Sequence, residues 1–497
     1  MHESKRAQLT QRFSQKGFNP VIGNIFHQQQ KWLSWYRGEV NDFHFYQVRT
    51  INGKTIGKER NSLQMPKKIC EDWAGLLFNE ETELVVSDTK AQEILDRALK
   101  RNNFTQEMSN FVEQTFALGT GVMLPYVNNG EVELDFLFGS DIIPLSHRNH
   151  EIEDIAVVQE FSMQKEHYTH VAYHIFDKGK YYIVHELYKA KQQTYLGQPT
   201  SLKALFSEEE LEMMYHEDGY YFEYETAQPL FQVFKPAITN NFDIHSPMGV
   251  SVFANAISTF KGLDTTYNAL VRDTELSRKR LMVNSEATRT QQVKEQTAKG
   301  ARIRNIKYFD EDDDLFMSTP MGEEGEPFKE WSPTLNLQPY IESINSHMNW
   351  VSAKTGLGTG YYSFDMDSGM TATEVISRNS DTWKNRQKHI KRLEEVLKGL
   401  MYSVLKLEQS TGGYQGVPED LEYTVYFDDS IMQDDQKRLD DMKEDAQNGF
   451  IPKSKYIAEK YKIDEEEAKR WLQETRQQEQ EDQQAFLGTF DVDEEGE

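Results

Sequence analysis

The stretch Thr355–Val375, TGLGTGYYSFDMDSGMTATEV, decides between two architectures. Read as a phosphate loop, it would mark a nucleotide-binding enzyme. Read as a connector, it would join two helices. A Walker-type loop follows a strand, and its glycines run into Lys and Ser/Thr at a helix start. Here the upstream segment LQPYIESINSHMNWVSAK sets Ile341, Ile344 and Met348 on one face at helical spacing. Lys354-Thr355 precedes the glycines instead of closing them, and Gly356, Gly358 and Gly360 spell G-x-G-x-G rather than a dinucleotide fingerprint. Downstream, Thr371 and Glu374 have capping-box spacing. The stretch is therefore a connector, with glycines for backbone freedom at its entry and a cap at its exit. Tyr361, Tyr362, Phe364, Asp365 and Asp367 fall at its tip. Aromatics left exposed there are expected to touch something that moves or a neighbouring subunit.

The longest helical pattern follows, from about Ala372 to Gln409. Ile376, Trp383, Ile390, Leu397 and Val404 recur every seven residues, as do Leu393, Leu400 and Leu407. Asn379 and Arg386 take the second position in the first half, so a helix packed at one end and polar at the other is expected. Trp383 lies where the seam turns polar and is expected in a core contact. Before the loop, SPMGVSVFANAISTFKGLDTTYNALV opens with Ser246-Pro247, a helix-start signal, and carries apolar residues at helical spacing. Residues 284–335 read as irregular and polar. Residues 121–225 read as a run of strands (VMLPYV, VELDFLF, IAVVQEFSM, YTHVAYHIF, KYYIVHELY, YYFEYET) interrupted by the short helical segment SLKALFSEEELEMM. Residues 1–40 and 65–120 read as amphipathic helices. A last strand, LEYTVYF, precedes helices and a glutamine- and acid-rich tail. The fold class is α+β.

The chain has 497 residues with 81 acidic and 55 basic side chains, a net charge of −26. Bulk charge this negative does not hold a protein on DNA or anionic membrane. The balance is uneven: 464–497 holds 13 acidic and 3 basic residues, whereas 272–307 holds 10 basic and 4 acidic. The basic segment includes Arg278, Lys279, Arg280, Arg302 and Arg304. The single cysteine, Cys70, sits in the amphipathic MPKKICEDWAGLL and reads as a core residue in a reducing compartment. MHESKRAQLTQRFSQKGF has no apolar run, so no secretory leader is expected, and no stretch reaches membrane-span length. Four His-Glu pairs, at 2, 150, 185 and 216, never extend to H-E-x-x-H, and no G-x-S-x-G or cysteine metal spacing occurs. Asp310–Asp314 lacks the Gly and distal Glu of a calcium loop and reads as a solvated acidic turn. No catalytic residue, metal site or cofactor is expected. A hydrolase or nucleotide-dependent enzyme would need a constellation that is missing, and a helical scaffold would lack the strand-rich half.

The order of elements resembles the portal proteins of tailed bacteriophages, particularly of phages of Gram-positive bacteria. The resemblance is carried by QKWLSWYRGEV, MPKKICEDWAGLLFNEE, MGVSVFANAISTFKGLDTTYNALVRD, SGMTATEVISRNSDTWK, YTVYFDDSIMQDDQKRLDDM and NGFIPKSKYIAEKYKIDEEEAKRWLQE, in that order across nearly the whole chain. It implies an elongated subunit: a wing (1–246 and 371–430), two stem helices (247–283 and 337–355), a clip (284–336), a tunnel loop (356–370) and a crown with acidic tail (431–497). It further implies a ring, usually of twelve, at a capsid vertex, through whose channel genomic DNA is packaged and ejected. The implied partners are double-stranded DNA, the terminase large subunit, a head–tail adaptor, and the major capsid and scaffolding proteins. The implied location is the virion, with the host cytoplasm during assembly. The tunnel loop would line the channel. The basic residues would lie on the lower stem and clip, facing DNA, the motor, the adaptor or a neighbour's acids.

Overall fold

A computed structural model describes residues 1–21, 24–49, 53–163, 165–217, 219–277, 280–284, 289–297, 300–308, 316–319, 328–331, 334–362, 372–414, 418, 420–427, 435–461, 463–464, 466–475 and 477. The chain divides into two compact units, Met1–Tyr426 and Phe427–Glu497.

The first unit opens with α1 (Glu3–Gln15) and α2 (Ile25–Arg37), separated by a break at Gly17, whose φ of 91° ends the first helix. A two-stranded ribbon, β1 (Phe45–Arg49) and β2 (Thr55–Glu59), leads to α3 (Met65–Leu77). A short strand, β3 (Glu83–Val86), then precedes α4 (Thr89–Arg101) and α5 (Phe104–Leu118). The strand-rich block begins with β4 (Gly121–Asn128) and β5 (Glu131–Phe138). A seven-stranded sheet is built on β6 (Ile142–Arg148), β7 (Glu151–Met163), β8 (Glu166–Asp177) and β9 (Lys180–Ala190). The short β10 (Gln198–Thr200) pairs with β9. After α6 (Glu208–Met214), β11 (Tyr215–His216) and β12 (Gly219–Glu225) complete that sheet, in the order β11-β12-β9-β8-β7-β6. All its pairings are antiparallel. β13 (Gln232–Phe234) joins β4 and β5 in a separate sheet.

Two cores hold this unit. In one, Leu9 and Phe13 of α1 pack on Ile143, Leu145, Val171, Tyr173 and Tyr188 of the large sheet. In the other, α3, α5 and the long C-terminal helix meet: Trp73, Phe116 and His389 pack at tilted and edge-on angles with ring centroids 4.9–6.0 Å apart. Cys70 is fully buried there.

The helix expected from Ser246 begins later, as α7 (Ile257–Leu276). Residues before it form a buried, irregular approach. A Cβ on Gly249 would meet the Gly119 carbonyl oxygen at 2.0 Å, and the Gly249 amide is spent on Thr120 Oγ1 at 2.9 Å. Tight backbone contact thus overrides the Ser-Pro start signal. The polar segment read as irregular contains strands: β14 (Arg280–Asn284), β15 (Arg289–Thr297), β16 (Gly300–Tyr308), β17 (Phe316–Thr319) and β18 (Phe328–Trp331). β14 sits between β17, parallel, and β18, antiparallel, while β15 and β16 form a ribbon of their own. A ribbon with polar residues at most positions offers no clean alternation to read.

α8 (Gln338–Lys354) returns alongside α7, and α9 (Ala372–Ser410) is the 39-residue helix expected after the loop. β19 (Tyr423–Tyr426) closes the unit by pairing antiparallel with β3. The second unit contains α10 (Asp435–Asn448) and α11 (Lys453–Tyr461), which pack on each other.

Candidate functional site: the rooted loop between the two long helices

The loop leaves α8 at Thr355, whose amide still bonds to the Val351 carbonyl at 3.0 Å. Gly356 and Gly360 take the left-handed conformation, with φ of 83° and 86°; Gly358 does not. Two of the three glycines are thus needed for backbone sign. The entry half of the loop is not free. The Trp73 indole N–H donates to the Thr355 carbonyl at 3.1 Å, and Asn385 Nδ2 donates to the Gly356 carbonyl at 2.8 Å. The Gly358 amide donates to Thr382 Oγ1 at 2.7 Å, and Leu357 is fully buried. α3 and α9 together therefore clamp the first residues after α8.

The two tyrosines part company. The Tyr362 hydroxyl donates to Asp72 Oδ2 at 2.6 Å, while Lys68 Nζ donates to the other carboxylate oxygen at 2.6 Å. The Tyr362 amide reaches Ser352 Oγ at 3.4 Å. Tyr361 is exposed, and its ring meets that of Tyr362 edge-on at 5.0 Å. Partial burial, with Asp72 nearby, pushes the Tyr361 phenol up to about 12, and fuller burial with the hydrogen bond to Asp72 pushes that of Tyr362 higher still, so both stay protonated. Tyr362 is thus part of the root, not of an exposed tip. Phe364, Asp365, Asp367 and Thr371 lie outside the described residues, as does the side chain of Glu374.

α9 supports this root with a buried polar strip. Thr382, Arg386 and His389 are all buried. Arg386 Nε donates to the Leu76 carbonyl at 2.6 Å, and His389 Nδ1 accepts from the Ala237 amide at 2.9 Å. Residues 382–389 of α9 are therefore polar at Thr382, Arg386 and His389 yet packed there. Trp383 is half-buried rather than in the core, with the Arg386 guanidinium 5.5 Å from its ring centroid. The second half follows the expected seam: Ile390, Leu393, Leu397, Leu400, Val404 and Leu407 are all buried.

Of the basic residues, Arg278 and Lys279 lie outside the described residues. Arg280 starts β14 opposite Trp331. Arg302 and Arg304 occupy alternate positions of β16, in register with Glu295 and Val293 of β15. The anchors of the loop were missed in the sequence. Asp72 and Trp73 read only as positions of an amphipathic helix, and Thr382 and Asn385 of the long helix were not singled out. The available signal was their three-residue spacing, polar on the flank of an apolar seam.

No enzyme-like constellation competes with this loop among the described residues. The buried His44–Asp264 pair, 3.1 Å apart, resembles half of a catalytic triad. Its other nitrogen accepts from the Val40 amide, however, and Asp264 Oδ1 accepts from the Leu63 amide, so the pair ties the segment after α2 to α7. A cleft of about 790 Å³ between α1 and α2 is lined by Arg6, Thr10, Phe26 and Gln29 without a nucleophile–base pair. Among the described residues no group of three or more His, Cys, Asp or Glu could hold a metal. No described helix is long and apolar enough to cross a membrane.

The first unit thus combines a strand-rich body, the adjacent helices α7 and α8 with short strands between them in sequence, and a rooted loop ahead of a 39-residue helix. Residues 24–481 match the family described as phage portal protein, SPP1 Gp6-like, and the chain belongs to that family. It is a portal protein. No curated protein matches the sequence. Among solved structures, the chain is similar to one in the virion of a native gene transfer agent particle, at 10% identity and TM-score 0.38, covering 87% of this chain and 91% of that one. It is similar to a chain in the neck of the empty particle computed with C6 symmetry, at 10% identity and TM-score 0.39, covering 85% and 90%. A chain in the neck of the native particle computed with C12 symmetry gives 11% identity and TM-score 0.36, covering 79% and 86%.

Proposed function

We propose that this portal subunit closes into a ring of twelve at one capsid vertex, and that double-stranded DNA enters and leaves through the ring's channel. Residues 356–370 line that channel as a tunnel loop. Residues 1–246 with 371–430 form the wing, 247–283 with 337–355 the stem, 284–336 the clip, and 431–497 the crown and acidic tail. The terminase large subunit, the head–tail adaptor, and the capsid and scaffolding proteins dock on this ring, in the host cytoplasm during assembly and then in the virion. The portal itself performs no turnover; the motor supplies the work.

The observation that carries the reading is the clamped root. The entry of the loop is held at Thr355, Gly356, Gly358 and Tyr362 by hydrogen bonds to side chains of α3 and α9. The chemistry agrees. Each phosphate–lysine contact adds affinity, so a channel that must let DNA slide is better lined by carboxylates. Asp365 and Asp367, repeated around a ring, would make the constriction anionic.

The test is a double variant, Asp365→Lys with Asp367→Lys. Ring assembly is expected to survive, since a loop tip carries little of the core. DNA packaging is expected to slow or stall, most at low salt, where phosphate contacts are strongest. Packaging at the normal rate and salt dependence would mean that the loop does not face DNA.

A further inference from the structure

We propose that the β1–β2 ribbon of one subunit docks on the α6–β12 edge of a second copy. The inference rests on the ring reading and deepens it by naming two surfaces that meet.

The ribbon stands apart from the larger sheets. β1 and β2 pair with each other and with no other strand among the described residues. An isolated two-stranded ribbon is marginal in water unless something covers it. Its root is nevertheless built firmly: Arg60 Nη1 donates to the Phe43 carbonyl at 2.7 Å, and its guanidinium lies over the rings of Phe43 and Tyr46. His44, next to the ribbon, is the buried partner of Asp264 on α7. Beyond that root, Phe45, Gln47, Arg49, Lys54 and Ile56 are exposed. Residues 45–60 carry four cations and one carboxylate in a protein of net charge −26.

The complementary surface lies at the end of the seven-stranded sheet. Residues 207–225 hold eight carboxylates and no Lys or Arg. Glu209, Glu212 and Glu217 are exposed, and so are Met213, Tyr215 and Tyr220. β11 covers β12 only at Gly219 and Tyr220. No described strand pairs with Phe222–Glu225 on the side away from β9. Open sheet edges are ready templates for pairing and are normally blunted or covered. One surface is basic, aromatic and edge-exposing; the other is acidic, aromatic and edge-exposing. In a closed ring every subunit offers two different faces, one to each neighbour, so a single chain can carry both halves of such a contact.

Charge swapping tests the pairing. Arg49, Lys54 and Lys58 are replaced together by Glu in one chain, Glu209, Glu212 and Glu217 by Lys in a second, and all six in a third. Native mass spectrometry then reads the concentration at which half the chains are in rings. Each triple variant is expected to raise it about tenfold or more at 0.05 M salt, with a smaller effect at 0.5 M, and the six-fold swap is expected to recover most of the loss. Melting of the dissociated chains is expected to stay close to the parent, because Arg49, Lys54, Glu209, Glu212 and Glu217 are exposed and Lys58 is half-buried on the two-stranded ribbon. Carbodiimide cross-linking of rings mixed from light and heavy isotope-labelled chains is expected to join Lys54 or Lys58 to residues 208–217 of a different copy. Rings that form as in the parent, without these cross-links or any effect of the triple variants, overturn this docking and leave the ring reading intact. A ribbon variant that lowers DNA retention but not ring formation also overturns it, because the ribbon's partner would then be nucleic acid. If the parent forms no rings at all, the proposed function fails with it.

Discussion

At the scale of single residues, the loop root depends on hydrogen bonds between polar groups that are far apart in sequence. Tyr362 and Asp72 are 290 residues apart, and Trp73 and Thr355 are 282 apart. Tyr362→Phe removes one hydrogen bond to a carboxylate and is expected to cost about 1–2 kcal/mol. Hydrogen exchange should show faster exchange at 356–362 alone. An unchanged urea midpoint with unchanged exchange would mean that the clamp does not depend on this bond. Arg386 and Trp383 make a paired test. Arg386 is 1% exposed and serves the Leu76 carbonyl, so Arg386→Ala leaves a buried acceptor and a cavity and is expected to cost about 3 kcal/mol. Half-buried Trp383→Ala is expected to cost less, about 1–2 kcal/mol. The reverse order in urea unfolding would restore Trp383 to the core, where its place in the heptad alone would put it. That heptad reading failed because a side chain as long as arginine can bury its stem and still reach a backbone carbonyl.

At the scale of elements, what could be read in the sequence depended on how cleanly burial alternates. The antiparallel sheet was legible because β7, β8 and β9 carry β-branched and aromatic residues between turn signals. α9 was legible because Leu393, Leu400 and Leu407 keep a strict spacing. The ribbon β15–β16 was not legible, because RTQQVKEQT has one strongly apolar residue in nine. The late start of α7 was hidden for a different reason: Gly249 meets Gly119, a contact between glycines 130 residues apart that no local signal encodes. The sheet also buries imidazoles. Burial holds His170 down to about 4, and His174 and His185 to about 3; His389 on α9 is likewise lowered to about 3. Their unfolded value is about 6.5, so the unfolded chain takes up protons that the fold refuses. Stability from these groups is therefore complete above about pH 6.5 and falls as pH drops towards 4, by up to about 1.4 kcal/mol per histidine per pH unit. The urea midpoint is expected to fall between pH 7 and pH 5, before most carboxylates titrate. A flat midpoint over that range would mean that these rings are hydrated in solution.

At the scale of the whole molecule, family membership and the rooted loop point the same way. The candidate site was legible in part: the glycine stretch could be recognised as a helix–helix connector, whereas its anchors on α3 and α9 could not. Net negative charge and a loop carrying two aspartates suit a conduit that must not hold what it passes. All of this requires a closed ring with residues 356–370 at its inner wall. Cryo-electron microscopy of the purified full-length protein tests that requirement most directly. The expected result is a ring, twelve-fold on the family pattern, whose central opening is narrowest at the density between α8 and α9. Monomers, open filaments, or a ring carrying that loop on its outer rim would contradict the account.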